Sequence, residues 1–292
     1  TDSFGNEKFY KVYGHDDWTI GWSIAQTSDG GFALLGNSTE TDPWLDFRLT
    51  KIDSLGNEEW TKFYGRSSDD TGSCVKQTSN GGYILTGSSG GWSSSPVIWV
   101  IRVDSSGSQL WDKTYGGANS DHWDSGYDVT ETSDGNFVIL GRIYDNSNSN
   151  YNIALIKLDS DGNELWFKRY GGLQDDSPNE FAALDDGYAI CGVTSSSGSA
   201  HTDIYFIKTD VNGNISYTRT FGDSNNNSSG GIASISDTQF AIVGQTTLSA
   251  DNTNIDFIHF NTSGYTSQTI LYENQSGNYV NSSELLVQVQ NS

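Results

Sequence analysis

One short phrase recurs along this chain at nearly even spacing, and that recurrence limits the fold more than any other feature. Residues 2–6 (DSFGN) return at 53–57, 104–108, 159–163, 210–214 and, eroded, at 261–265, in steps of 51, 51, 55, 51 and 51 residues. A period near 50 residues belongs to propellers and repeat arrays, in which each repeat buries its apolar face only against its neighbours.

Four short strands fit into each period. In the second unit, residues 71–77 (TGSCVKQ) read as strand a, 79–82 as a tight turn and 83–87 (YILTG) as strand b. Residues 88–95 form a Gly/Ser-rich loop, 96–103 (PVIWVIRV) an apolar strand c, 104–107 a second turn and 109–115 (QLWDKTY) an alternating strand d. Glycine in the turns supplies the positive-φ positions that tight hairpins need, and the β-branched and aromatic runs between turns are strand-like. Thirty-three glycines against three prolines fit many short strands and many turns. The aromatic fraction of 13% lets few, large side chains build a core. The expected fold is therefore all-β: one β-propeller over residues 1–292, with units starting near 2, 53, 104, 159, 210 and 261.

The ends of the chain bear on blade number. Residues 7–13 read as a strand d without partners of its own, and 277–281 and 284–290 line up with strands a and b. The expectation is six blades closed by the N-terminal strand, with five blades as the alternative.

Aligned units separate what repeats from what does not. An aromatic stands four positions after the turn glycine at Phe9, Trp60, Trp111, Trp166 and Tyr217, and a second series occupies strand b at Phe32, Tyr83, Phe137, Tyr188 and Phe240. Both read as packing between blades. Lys51, Arg102, Lys157 and Lys208 precede the turn Asp by two residues and read as strand-end cations near acidic turns. Cys74 and Cys191 fall in units that do not adjoin, so no disulfide is expected.

The pattern (Leu/Phe)-Ile-Lys-x-Asp-x-x-Gly-Asn-x-x-Trp-x-Lys-x-Tyr-Gly-Gly, followed by Asp-Asp and Gln-Thr-Ser-Asp-Gly-Gly-(Phe/Tyr), is best preserved at residues 155–172 and 26–36. It resembles the repeat of secreted and cell-surface β-propeller proteins of bacteria and archaea. That resemblance implies export or surface display; it carries no shared activity that could be placed on particular residues.

Charge restricts the partners. Fifteen Lys and Arg against 37 Asp and Glu give a net charge of −22, which opposes binding to nucleic-acid phosphates and to anionic membranes. No stretch reaches the ~18–20 apolar residues needed to insert in a bilayer. A chain of this kind is expected as a monomer or as part of a larger chain or assembly.

Acidic residues gather in the connection from strand d to the next strand a: Asp16, Asp17, Asp69, Asp70, Asp121, Asp124, Asp175 and Asp176. Converging carboxylates could hold Ca²⁺, which takes six to eight oxygens. Recurrence in most units favours the other reading, in which each Asp accepts hydrogen bonds from loop amides. What breaks the repeat points to function. The b–c loops carry unpatterned Trp44, Trp92, Tyr144, Tyr151 and His201, and the one enlarged d–a loop carries His122 and Trp123. In a propeller these loops share a face. Exposed rings beside Asp, Asn and Ser suit a glycan, the ring stacking on the sugar and the polar groups taking its hydroxyls. The leading expectation is thus a binding or adhesion module for a glycan or a surface protein. The alternatives are a carbohydrate-active enzyme using loop carboxylates, and a structural spacer; no nucleophile or zinc motif singles out a catalytic residue.

Overall fold

The computed structural model describes residues 7, 9–14, 18–41, 43–66, 68–90, 96–117, 122–198, 200–249, 252–263, 269–271 and 288–290. Among them there is no helix, and so none long and apolar enough to cross a membrane. The first sheet runs β1 (Thr19–Gln26), β2 (Phe32–Ser38), β3 (Asp46–Ile52), β4 (Glu58–Tyr64), each strand beside the next. The second repeats this with β5 (Asp70–Gln77), β6 (Tyr83–Ser89), β7 (Val97–Val103) and β8 (Gln109–Tyr115). β9 (Ser125–Glu131), β10 (Phe137–Asp145), β11 (Asn150–Leu158) and β12 (Glu164–Tyr170) form the third sheet. The fourth holds β13 (Asp176–Leu184), β14 (Gly187–Thr194), β15 (Asp203–Asp210) and β16 (Ile215–Phe221). The fifth has β17 (Asn226–Ser236), β18 (Gln239–Ser249) and β19 (Asn252–Asn261). The all-β architecture is as the sequence predicts; the first four sheets have the four strands expected of a period and the fifth has three among the described residues, and the second repeat matches to within two residues at each strand end.

The chain divides into two compact units, residues 1–144 with 156–167, and residues 145–155 with 168–292. In the first, Ala33, Leu35, Phe47 and Leu49 of the first sheet pack on Val75, Tyr83, Leu85, Trp99 and Ile101 of the second. The opposite face of the second sheet, through Cys74, Ile84, Ile98 and Val100, packs on Val129, Phe137, Ile139, Ile156 and Leu158. In the second unit Ala189, Cys191, Ile204 and Phe206 meet Phe240, Ile242, Ile258 and Phe260. Period-two alternation is the cause: each strand gives alternate side chains to the core on either side of its sheet. Both cysteines are buried free thiols, as expected, and burial pushes that of Cys191 up to about 12.

The aromatic series join neighbouring sheets. Trp60 of β4 meets Tyr83 of β6 edge-on at 5.8 Å, and Trp111 of β8 meets Phe137 of β10 at 6.0 Å. The Trp111 indole N–H also donates to the Ser160 carbonyl at 3.0 Å. Four residues on, a tyrosine reaches the next turn: the hydroxyls of Tyr64, Tyr115 and Tyr170 donate to the carbonyls of Gly107, Gly162 and Gly213 at 2.6, 2.9 and 2.7 Å. Those turns need glycine, with φ of +78°, +80° and +73° at Gly107, Gly162 and Gly213. One expectation changes: Trp111 and Trp166 are half-buried, not buried, and the Trp111 ring lies over the turn at Gly162. Trp111→Ala should therefore cost about 2 kcal/mol, below the ~3–5 kcal/mol of a fully buried tryptophan. Urea unfolding checks this, and an unchanged midpoint would show that the ring lends nothing to packing.

The strand-end cations find acids from the a–b turn of their own sheet. Lys51 pairs with Asp29 at 2.8 Å, Lys157 with Asp134 at 2.7 Å and Lys208 with Asp186 at 2.6 Å. In the second sheet Arg102 meets the neutral Asn80 instead, at 2.5 Å. The Lys51 ammonium, with the Thr27 hydroxyl, holds Asp29 well below the usual carboxylate range.

The chain ends depart from expectation. The described part of residues 7–13 carries no strand pairing. It still repeats the contacts of a strand d: the Tyr13 hydroxyl donates to the Gly56 carbonyl at 2.8 Å and the Lys11 ammonium to Asn57 Oδ1 at 2.6 Å. Of the C-terminal pieces, 277–281 lies outside the described residues. β21 (Gln288–Gln290), the described part of 284–290, pairs antiparallel with β20 (Thr269–Leu271), the piece that follows the last turn.

Candidate functional site

The b–c and d–a connections meet at one end of the sheets, laced by a recurring pair of hydrogen bonds. In the first unit, Leu45 N–H donates to Asp69 Oδ1 at 3.0 Å and Asp70 N–H to the Leu45 carbonyl at 2.6 Å. At the next junction Asp124 N–H donates to the Pro96 carbonyl at 3.1 Å, and Asp124 takes the N–H groups of Tyr144 and Gly117 at 2.7 and 2.8 Å. In the second unit Tyr151 N–H donates to Asp175 Oδ1 at 2.9 Å, and Thr202 N–H to Asn226 Oδ1 at 3.2 Å. Asn227 N–H returns to the Thr202 carbonyl at 2.7 Å. The two loop sets therefore share an end, as predicted.

The described acidic pairs hold loop backbone. Asp70 and Asp176 are fully buried, and each accepts a d–a loop N–H, from Arg66 at 2.6 Å and from Gly172 at 2.8 Å. At the last described junction Asn226 Oδ1 accepts the loop N–H as Asp69 and Asp175 do, whereas Asn227 Nδ2 donates, to the Asn225 carbonyl at 2.8 Å, so neutral amides stand at both positions there. Among the described residues no three His, Cys, Asp or Glu side chains come together as metal ligands. Burial raises the carboxyls of Asp70 and Asp176 above the usual range. A raised carboxyl often marks a catalytic acid, but these two hold loops and are shut off from solvent. Asp16, Asp17 and Asp121 lie outside the described residues.

The unpatterned rings fall into separate groups. In the first unit, His122 stacks on Tyr144 with centroids 3.3 Å apart and planes at 13°, beside Trp123, which is 38% exposed. Asp124 ties this group together through the Tyr144 amide. Trp44, 46% exposed, stands next to the anchored Leu45. In the second unit, half-buried Tyr151 sits over Asp175 and exposed His201 adjoins Thr202, at different junctions. Trp92 lies outside the described residues. The sequence reading passed over Trp18 and Trp22, which are 75% and 54% exposed at and within β1. Trp18 stands three residues before Gly21 as Trp123 stands three before Gly126, each glycine pairing with the glycine of its strand b, and Trp22 has no tryptophan counterpart in the other units. One concavity, of about 250 Å³, lies between β17 and β18 and is lined by Ser228, Ser229, Gly230, Val243, Gly244 and Gln245. None of the loop aromatics lines it.

Fold and site define an all-β protein of repeated antiparallel sheets, three or four strands each, with a laced loop end. No protein-family model matches the chain, and no curated protein does. Solved structures do. A protein of unknown function from Dyadobacter fermentans superimposes with a TM-score of 0.53 at 13% identity, over 89% of this chain and 84% of that one. Another of unknown function, from Bacteroides caccae, gives 0.52 at 12% identity over 84% and 78%. At such identity the likeness is one of fold alone.

Proposed function

We propose that this chain is a β-propeller, six-bladed with residues 7–13 supplying an outer strand, and that it is a secreted or surface-displayed module that binds glycan at its loop end without turnover. The observation that carries the reading is a division of labour within each junction. Repeating carboxylates and amides hold the loop backbone, while the rings of Trp44, Trp123 and the His122–Tyr144 stack differ from junction to junction and stand at the surface. A ligand without the symmetry of the repeat needs such unequal contacts. Exposed aromatic faces flanked by Ser, Asn and Asp match a sugar's apolar face and its hydroxyls. Binding without chemistry is further supported by the raised carboxyls being buried anchors.

A glycan array followed by titration of the tryptophan fluorescence tests this. Trp44→Ala and Trp123→Ala should each weaken a bound glycan about tenfold, the scale of one stacking contact. The melting temperature should move by no more than about 2 °C, because these rings lie outside the cores. Binding unaffected by both substitutions, or glycan cleavage in the same assay, would refute the reading.

A further inference from the structure

The a–b turns share one acceptor position, and the second sheet fills it differently from its neighbours. In the first sheet Asp29 takes the Thr27 hydroxyl at 2.5 Å, the Gly31 N–H at 2.9 Å and the Lys51 ammonium at 2.8 Å. In the third, Asp134 takes the Thr132 hydroxyl, the Asn136 N–H at 3.3 Å and the Lys157 ammonium at 2.7 Å. The second sheet keeps every kind of donor and changes the acceptor. Asn80 Oδ1 receives the Thr78 hydroxyl at 2.8 Å, the Gly82 N–H at 3.3 Å and the Arg102 guanidinium at 2.5 Å. Arg102 is buried, and Glu131 and Asp104 act on it only through space, the one held by Ser79 and the other by its own turn. A buried cation thus faces a neutral amide where Asp29, Asp134 and Asp186 meet their lysines as carboxylates.

Asn80 is exposed and is followed by Gly81, whose missing side chain leaves its nitrogen free to approach the preceding carboxamide. Three donors on Oδ1 draw electrons from Cγ and steady the oxyanion that forms when a nucleophile adds there. The Gly81 nitrogen bonds to Cγ and gives up its proton, the amide nitrogen departs with that proton as ammonia, and a cyclic imide closes. Water then adds at Cγ, the carbonyl those donors polarise, and the bond from Cγ to the Gly81 nitrogen breaks as that nitrogen regains a proton. The net change is carboxamide and water to carboxylate and ammonium, with the backbone restored.

We propose that Asn80 is a self-modifying site, its carboxamide converting in place to the carboxylate that gives the second sheet the ion pair of its sister sheets. The chain carries its own comparison. Asn212–Gly213, in the c–d turn of the fourth sheet, is the same dipeptide on a similar backbone: φ is +73° at Gly213 and +84° at Gly81. Their N–H groups donate to the Asp210 and Thr78 carbonyls at 3.0 and 2.8 Å. Asn212 is also exposed, but it bonds through its main-chain N–H, to Asp210, and its side chain lacks the three donors of Asn80.

The test holds the full chain in mild alkali and measures Asn, Asp and isoaspartate at both positions by peptide mapping. Asn80 should convert about tenfold faster than Asn212, less than a buried oxyanion hole gives because the turn is open to water, and Asp should be the main product. In urea the two rates should meet, since only the fold separates them. A rate at Asn80 no faster than at Asn212, an advantage that survives in urea, or isoaspartate as the main product overturns the proposal. The melting temperature of the parent should climb with the converted fraction, and Asn80→Asp should melt about 2 °C above the unconverted parent. A variant that melts at or below the parent overturns the pairing with Arg102.

Discussion

Phe206→Ala should cost the second unit about 4 kcal/mol of unfolding free energy, the scale for emptying a fully buried aromatic position. Phe206 of β15 is wholly buried, with ring centroids 4.9 Å from Phe240, 4.7 Å from Phe260 and 6.1 Å from Tyr217. It is the ring that joins the fourth sheet to β18 and β19 of the fifth. Alanine removes transfer free energy and leaves a cavity that three rigid rings on twisted sheets cannot close. Leucine at the same place should lose less than half as much. Urea unfolding followed by far-UV circular dichroism measures both, and a loss under about 1 kcal/mol for alanine would mean that this cluster is not the core of the unit.

Gly87→Ala should be nearly as damaging, by about 3 kcal/mol, although it adds a single methyl group. Strand b of each of the five sheets carries a glycine, Gly36, Gly87, Gly141, Gly192 and Gly244, at the point where strand a is bulged. The bulge pushes a strand a carbonyl under the glycine: a Cβ on Gly87 would stand 2.0 Å from the Thr71 oxygen and 2.7 Å from Phe47 Cζ. Backbone and a packed ring cannot both retreat. Gly198, with φ of +87° and no atom within 4 Å of its would-be Cβ, is the control, and alanine there should cost only the ~1 kcal/mol of a left-handed backbone. Melting curves that rank Gly198→Ala at or below Gly87→Ala would remove the steric argument.

These glycines mark the boundary of what the sequence disclosed. FALLG, YILTG, FVILG, YAICG and FAIVG end alike in all five units, yet attention to the aromatic at their start hid the glycine at their end. Period-two alternation and turn chemistry are local, so strands and turns could be placed closely. The partner of Lys51 could not: Asp29 lies 22 residues back, across a hairpin, and only the register Ala33↔Lys51 brings the two turns together. Half-burial of Trp111 was equally hidden, since recurrence reports that a ring packs and not how much of it is covered. At the loop end the sequence separated recurring acids from the rings beside them, and Trp44 and Trp123 stand exposed in the structure. It could not show that Asp69 and Asp70 divide the work, one holding the loop amide and the other buried beneath it, because side-chain orientation at adjacent positions depends on where β5 begins.

Three anchors of the loop end read main chain. Leu45, Tyr151 and Thr202 are grasped through their N–H groups by Asp69, Asp175 and Asn226, and no side chain in the connection that precedes them enters those bonds. A connection can therefore change in length and composition between its two strands while its exit stays pinned. Between its fixed exit and the few side chains that hold to the sheet, such as Thr41 on Asp46 and Ser196 on Asp176, each loop is an exchangeable cassette: a foreign peptide spliced between Thr41 and Trp44 would be displayed at little expense to folding.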